Sequence, residues 1–414
     1  MNNKDKQLSV LHDLSKAMIG VSSMEEVCEG ILARTVSVLK VDKASIMKLD
    51  PIDGTLKIVA AKGMPKDIVS SSSVKIGQGI SGKVFKSKKP LLLKNIKSSK
   101  YQARDRYKSS SLMSAPVTFP MNVGGNPVGV INVTDRRGKK GFTSEDLKLL
   151  TTIANQTAAY LHLCDLADDA RRNEHLKREL EVAREIQQRL LPRRIPKMEK
   201  FDVAGMCLMA QKVGGDYFDF VVKGSGLPSI VVADVAGHSI GAAMMMTSFR
   251  SAVRTDISNA LSPSIVAEKL NAILYDDLVA AEQFISMVYA QILGDSIIYT
   301  TAGHHAPLVY QDGKFINYST DDDLLGVNKF SEYHEKRIAV KAGNIIVLFT
   351  DGLVDAARKS GERYGIERVK NYISKNSDKS SETLTDGLCG ETRRFIGRQA
   401  LKDDVTVVVL KVKE

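Results

Sequence analysis

The chain has 414 residues, too long for one ordinary core, and its length points to two or three domains. Hydrophobic residues make up 43% and charged residues 26%, a globular balance, and no apolar run approaches the roughly 18 residues of a membrane span. Cys28, Cys164, Cys207 and Cys389 form no Cys-x-x-Cys pair, which argues against a thiolate zinc site and a disulfide framework and fits a cytoplasmic location. The N-terminal Met-Asn-Asn-Lys-Asp-Lys-Gln leads into an amphipathic stretch, so a secretory signal is not expected. A net charge of +11 raises the question of nucleic acid, yet the densest basic stretch, Lys83 to Lys108, lacks any zinc-finger or RNA-recognition signature. It reads as a solvated basic face.

Taken in order, the first 165 or so residues mix helical and strand-like patterns. Leu8, Leu11, Leu14, Ala17 and Met18 keep helical spacing, and Val27, Ile31, Leu32 and Val36 do so again. Ala44–Leu49 and Leu56–Ala60 read as strands joined by the turn Asp50-Pro-Ile-Asp-Gly54, and Ala115–Phe119 and Val128–Val133 as a second pair. This predicts an α+β sensor-sized domain over residues 1–165. Gly77, Gly79, Gly82 and Lys83 mimic a phosphate-binding loop, but Val84 stands where a metal-binding Ser/Thr belongs, and the segment reads as a turn entering a short helix.

From Thr143-Ser-Glu-Asp146 to Leu191 no proline interrupts, so a long helix is expected, with residues 166–196 as a linker. Leu176, Leu180, Ala183, Gln187 and Leu190 alternate steps of four and three, a coiled-coil seam with one polar position, which predicts a homodimer or bundle. Residues 197–414 are strand-rich: Ser229–Val235, Phe284–Leu293, Ser296–Thr301, Leu308–Tyr310, Ile345–Thr350 and Val405–Val412, with helices at about Gly241–Ser258, Pro263–Ala280, Ile366–Ser374 and Thr383–Phe395. Strands adjoin strands, so antiparallel sheets with helices outside are predicted.

Four short motifs carry the chemistry: Val213-Gly-Gly-Asp-Tyr-Phe-Asp219, Val232-Ala-Asp-Val-Ala-Gly-His238, Phe349-Thr-Asp-Gly352 and Lys402-Asp-Asp-Val-Thr406. Each sets an aspartate at the end of an apolar run or in the turn beside one. Carboxylates meeting at one sheet edge make an oxygen-only cage suited to Mg²⁺ or Mn²⁺. Two such ions about 3.5–4 Å apart can generate hydroxide and clamp a phosphoryl group. The residues therefore point to a metal-dependent phosphatase. His238, His304 and His305 read as turn histidines in preference to ligands, and Ser239 and Ser248 lack a strained nucleophile setting.

These motifs, with the lead-in Glu179-Leu-Glu-Val-Ala-Arg-Glu-Ile-Gln-Gln-Arg-Leu-Leu-Pro192 and Thr301-Ala-Gly-His304, resemble the bacterial SpoIIE/RsbU-type phosphatases of the protein phosphatase 2C-like (PPM) superfamily. The resemblance implies an α-β-β-α sandwich with Mn²⁺ or Mg²⁺ held by Asp216, Asp234, Asp351 and one of Asp403 and Asp404, Asp403 being favoured, plus the carbonyl of Val235. Asp234 would bridge two ions. The substrate implied is phosphoserine or phosphothreonine on a small protein, an anti-sigma-factor antagonist in a partner-switching pathway. Ala236 stands where animal relatives carry a histidine implicated as an acid, so His238 does not inherit that role. Gly79–Pro90, Pro127–Val133 and Phe142–Leu150 resemble a GAF sensory domain, whose ligand the sequence leaves unknown. The competing expectation is a non-catalytic scaffold in which the GAF-like part binds a ligand and the phosphatase-like part docks partners.

Overall fold

The computed structural model describes residues 23–94, 112–118, 125–138, 141–221, 227–237, 239–256, 262–316, 318 and 322–413. The expected Leu8–Met18 helix, His238 and much of the Lys83–Lys108 stretch lie outside them. Two compact units separate at Glu174/His175.

In the first unit α1 (Met24–Leu39) starts where Ser23 Oγ accepts the Glu26 amide and ends on Lys40 in the left-handed region. Its apolar face, Cys28, Ile31 and Leu32, packs on β1 (Val41–Leu49) and β2 (Thr55–Lys62). After α2 (Lys66–Ser71), β3 (Ser73–Lys75), α3 (Gly79–Ser87), β4 (Leu91–Leu93) and β5 (Leu112–Thr118), β6 (Pro127–Arg136) completes a six-stranded sheet of order β3-β2-β1-β6-β5-β4. Val84 and Phe85 of α3 cover Met47, Leu56 and Val130. The glycine-rich segment is the turn into α3: the Gly77 amide donates to the Gly82 carbonyl, and a Cβ on Gly82 would lie 2.3 Å from the Lys75 carbonyl oxygen.

Helix α4 (Ser144–Leu190) is continuous. Leu150, Ile153, Ala154, Ala158 and Leu161 complete the sensor core with α1. At its C-terminal end the expected seam is used within the second unit. Leu180 and Ala183 are half-buried and Gln187 is buried there, whereas Leu176, Val182 and Ile186 are exposed.

The second unit holds β7 (Phe201–Leu208), β8 (Asp216–Val221), β9 (Ser229–Val235), α5 (Ile240–Asp256), α6 (Pro263–Ala280), β10 (Ile285–Leu293), β11 (Ser296–Ala302), β12 (Leu308–Gln311), β13 (Lys314–Ile316), β14 (Lys336–Ala339), β15 (Ile345–Phe349), α7 (Asp351–Asp355), α8 (Ile366–Lys375), α9 (Ser381–Ile396) and β16 (Val405–Val412). Two antiparallel five-stranded sheets, β14-β11-β10-β9-β8 and β13-β12-β15-β16-β7, pack face to face. Phe218, Ile230, Val232, Val288, Leu348 and Val408 fill the space between them. Tyr217, Val231 and Ala233, on the alternate face, meet Phe249 of α5 and Leu270 of α6, while Val407 and Val409 meet Leu384 and Leu388 of α9. The result is the α-β-β-α sandwich expected. Both faces of the central strands are covered, so those strands are mostly apolar. Among the described residues no helix is long and apolar enough to cross a membrane.

Candidate active site

The sandwich brings the four motifs to one edge. Asp216 opens β8 and Asp234 is the penultimate residue of β9, where they are register partners in one sheet. Asp351 follows β15, and Asp403 and Asp404 precede β16, in the other sheet. Asp216 is buried, and its Oδ2 accepts from Thr350 Oγ1 at 2.8 Å and Thr406 Oγ1 at 2.6 Å. The Thr350 hydroxyl in turn accepts the Thr406 amide at 2.9 Å. One carboxylate thus fastens the first sheet to the neighbouring ends of β15 and β16 in the second. Neither threonine stands out in the sequence as a site residue; the signal for them is their place, beside Asp351 and two residues after Asp404.

Three glycines permit the close approach. A Cβ on Gly214 would lie 1.7 Å from Asp404 Oδ2, one on Gly352 1.8 Å from the Asp404 carbonyl oxygen, and one on Gly215 2.5 Å from the Val235 carbonyl oxygen. The adjacent aspartates have separate tasks. Asp404 is buried and its Oδ1 accepts the Ala210 amide at 2.7 Å, holding the loop before β8. Asp403 is exposed, and its Oδ1 accepts the Asp404 amide at 2.9 Å.

Gathering carboxylates is electrostatically uphill. Burial, followed by Asp234 and Asp404, pushes the Asp216 carboxyl well above the usual range, with the two threonine hydroxyls opposing. Burial, then Asp351, Asp403 and Asp404, pushes Asp234 up to about 7. Asp351 is raised by burial, Asp403 and Asp355, with His305 opposing. Among the described residues no three His, Cys, Asp or Glu side chains stand in a ready metal-ligating arrangement. The donor set itself, carboxylates plus the Val235 carbonyl that Gly215 allows to be approached, fits a hard divalent cation and not zinc.

Not every acid of these motifs joins the cluster. Asp219 points to the helix layer, where its carboxylate accepts from Arg254 of α5 at 2.7 and 3.0 Å and from the Tyr217 hydroxyl at 2.5 Å. His304 is buried and tied at both ring nitrogens, to Ser286 Oγ at 2.6 Å and the Phe349 carbonyl at 3.0 Å. A carbonyl only accepts, so Nε2 carries the proton and Nδ1 accepts from Ser286. Burial lowers its pKa to about 3, so it is a neutral brace. Ser239 is the N-terminal support of α5, accepting the Ala242 amide at 3.3 Å.

Residues 225–413 match the family described as Stage II sporulation protein E (SpoIIE), and residues 21–162 match the GAF domain family. The chain joins a GAF domain to a SpoIIE-type phosphatase domain. The SpoIIE match begins after Asp216, so that residue's place in the site rests on the β8–β9 register and its bonds to Thr350 and Thr406. Phosphoserine phosphatase RsbU of Bacillus subtilis is 28% identical over 247 residues, covering 58% of this chain and 72% of its own length. Protein IcfG of Synechocystis is 25% identical over 261 residues, but the match spans only 41% of its length. The SiaA-PP2C domain of Pseudomonas aeruginosa superposes with a TM-score of 0.53 over 58% of this chain and 99% of that domain, at 18% identity. That likeness shows the PP2C-type fold of the SpoIIE domain.

Proposed function

We propose that the chain is a Mn²⁺- or Mg²⁺-dependent phosphatase acting on phosphoserine or phosphothreonine of a small regulatory protein. The observation that carries this is the convergence of Asp216, Asp234, Asp351 and Asp403 at one edge of the sandwich. Asp234, Asp351 and Asp403 would hold the cation pair together with the Val235 carbonyl, and Asp216 would support it from the threonine grip. Asp404 positions the loop before β8 and is not a ligand in this reading. When bound, the cations supply a lowered water pKa and neutralise charge growing on the phosphoryl group. The protein's share is to fix the carboxylates in place.

A phosphorylated anti-sigma-factor antagonist-like protein is the partner in this reading, as the resemblance to SpoIIE/RsbU-type phosphatases implies, and the likeness to a phosphoserine phosphatase supports the phosphoserine chemistry. The GAF domain takes the controlling signal, and α4 carries it. Exposed Leu176, Val182 and Ile186 support a second copy of the chain as the helix's partner. A cytoplasmic setting is supported by the four cysteines, all free thiols.

Phosphate release from a phosphoserine peptide with added Mn²⁺ is the test. Asp234→Asn and Asp351→Asn should each remove most of it, and full activity in both would overturn the assignment. Calorimetry separates the scaffold reading, which expects neither Mn²⁺ binding nor phosphate release.

A further inference from the structure

Cleaving a phosphoserine ester leaves a seryl alkoxide, a far stronger base than a phenolate, so the reaction gains from a proton donor at the leaving oxygen. His304, with both nitrogens committed, is not that donor. It does decide where the next residue goes. Ser286, its Nδ1 partner, is the register partner of Asp234, and Phe349, its Nε2 partner, lies two residues before Asp351. His304 therefore staples the turn after β11 across the space between those two aspartates. Gly303, at φ +59° and pressed on Leu324, fixes the turn's course.

His305 follows and is exposed at that edge. Its ring lies on Phe349, centroids 5.3 Å apart and planes 21° apart, and Phe349 stands two residues before Asp351. Stacking fixes the ring plane but occupies neither nitrogen, and no hydrogen bond joins either nitrogen to a described residue.

We propose that His305 is a catalytic residue, the proton donor to the leaving seryl or threonyl oxygen; this rests on the phosphatase reading above. A water-derived hydroxide forms the new O–P bond as the P–O ester bond breaks. The ester's electron pair stays on the seryl oxygen, which takes the proton from the imidazolium N–H. Inorganic phosphate, free serine hydroxyl and neutral His305 result, and the ring regains its proton from water.

The test compares a phosphoserine peptide with p-nitrophenyl phosphate, whose leaving group needs no proton, using the full chain with Mn²⁺. His305→Ala removes the ring, and His305→Phe keeps a stacking ring without a donor. Both variants should lose about 100-fold or more in kcat on phosphoserine, the scale of general-acid catalysis, and at least about tenfold less on the aryl ester. Calorimetric Mn²⁺ affinity and Tm should stay at wild-type values. Equal fractional losses on the two esters, retained phosphoserine turnover in His305→Phe, or losses that track weakened Mn²⁺ binding would each overturn the assignment. If the wild type binds Mn²⁺ yet hydrolyses neither ester, the phosphatase reading itself falls, and this role with it.

Discussion

Gln187 and Gly214 exchange two hydrogen bonds. The side-chain amide donates to the Gly214 carbonyl at 2.6 Å, and the Gly214 amide donates back to Oε1 at 3.0 Å, both in buried surroundings. Gly214 lies against Asp404 and two residues before Asp216, so the last turns of α4 hold the backbone that leads into the carboxylate cluster. An ion pair between Glu181 and Lys212 and a bond from Arg250 to the Leu190 carbonyl (2.9 Å) flank this contact.

Gln187→Ala should therefore disturb the site and not only the helix. It leaves a buried N–H and C=O without partners, at about 1–3 kcal/mol for each unsatisfied group. We expect a lower Tm, weaker Mn²⁺ affinity and reduced turnover. Leu180→Lys and Leu190→Lys, which force charges into half-buried places, should do the same with and without the first 165 residues. Wild-type metal affinity and turnover in all three variants would rule out control of the site through α4.

Asp403 and Asp404 should separate cleanly. Asp403→Asn removes a charge from the cluster without touching the Asp404–Ala210 bond, so Mn²⁺-dependent turnover should fall by about 10–100-fold or more while Tm holds. Asp404→Ala orphans the Ala210 amide and opens space beside Gly214, so Tm should fall. Asp404→Asn keeps an oxygen acceptor there and should retain more stability than alanine. Loss of stability in Asp403→Asn with none in Asp404→Ala would reverse the two assignments.

The sequence is most legible where burial is simplest. Ser229–Val235, Val405–Val412 and Pro263–Ala280 appear with the boundaries read from their apolar runs. Those strands are covered on both faces, so their pattern has no competing interpretation. β7 and β8 are not legible as strands in the sequence. Asp202, Gly205 and Cys207 interrupt the first, and two aspartates in Asp216–Val221 look like turn chemistry until the buried threonines and Arg254 that satisfy them are placed. Gln187 shows a different limit. Its spacing gave the correct face of the helix, but a polar seam position looks the same whether it meets a second helix or a loop of its own domain.

The close approaches at glycine predict a graded series. Gly214→Ala and Gly352→Ala place a Cβ within 1.7 and 1.8 Å of Asp404 oxygens, so both should unfold or lose turnover. Gly215→Ala meets the Val235 carbonyl oxygen at 2.5 Å and should displace that carbonyl, weakening Mn²⁺ binding more than Tm. Gly390, within α9, has nothing within 4 Å of an added Cβ, so Gly390→Ala should raise stability by about 0.5–1 kcal/mol. Equal thermal unfolding curves for all four variants would mean that the carboxylates are not held against these backbones.

Repulsion within the cluster sets the pH dependence of the metal-free protein. Asp234 is pushed up to about 7 and Asp216 is raised as well, both first by burial and then by neighbouring carboxylates. An unfolded aspartate titrates near about 4, so between these values the folded chain keeps a proton that the unfolded chain has released. Stability is then full below about pH 4 and lost as pH rises through about 7, the reverse of a salt-bridged carboxylate. In a metal-free buffer, Tm should be higher at about pH 5 than at about pH 8, and Asp234→Asn should flatten the slope. Added Mn²⁺ binds the ionised carboxylates, so its Tm gain should grow over the same interval. A Tm that rises with pH without metal, or a Mn²⁺ gain independent of pH, would show that these aspartates do not repel one another in the folded chain.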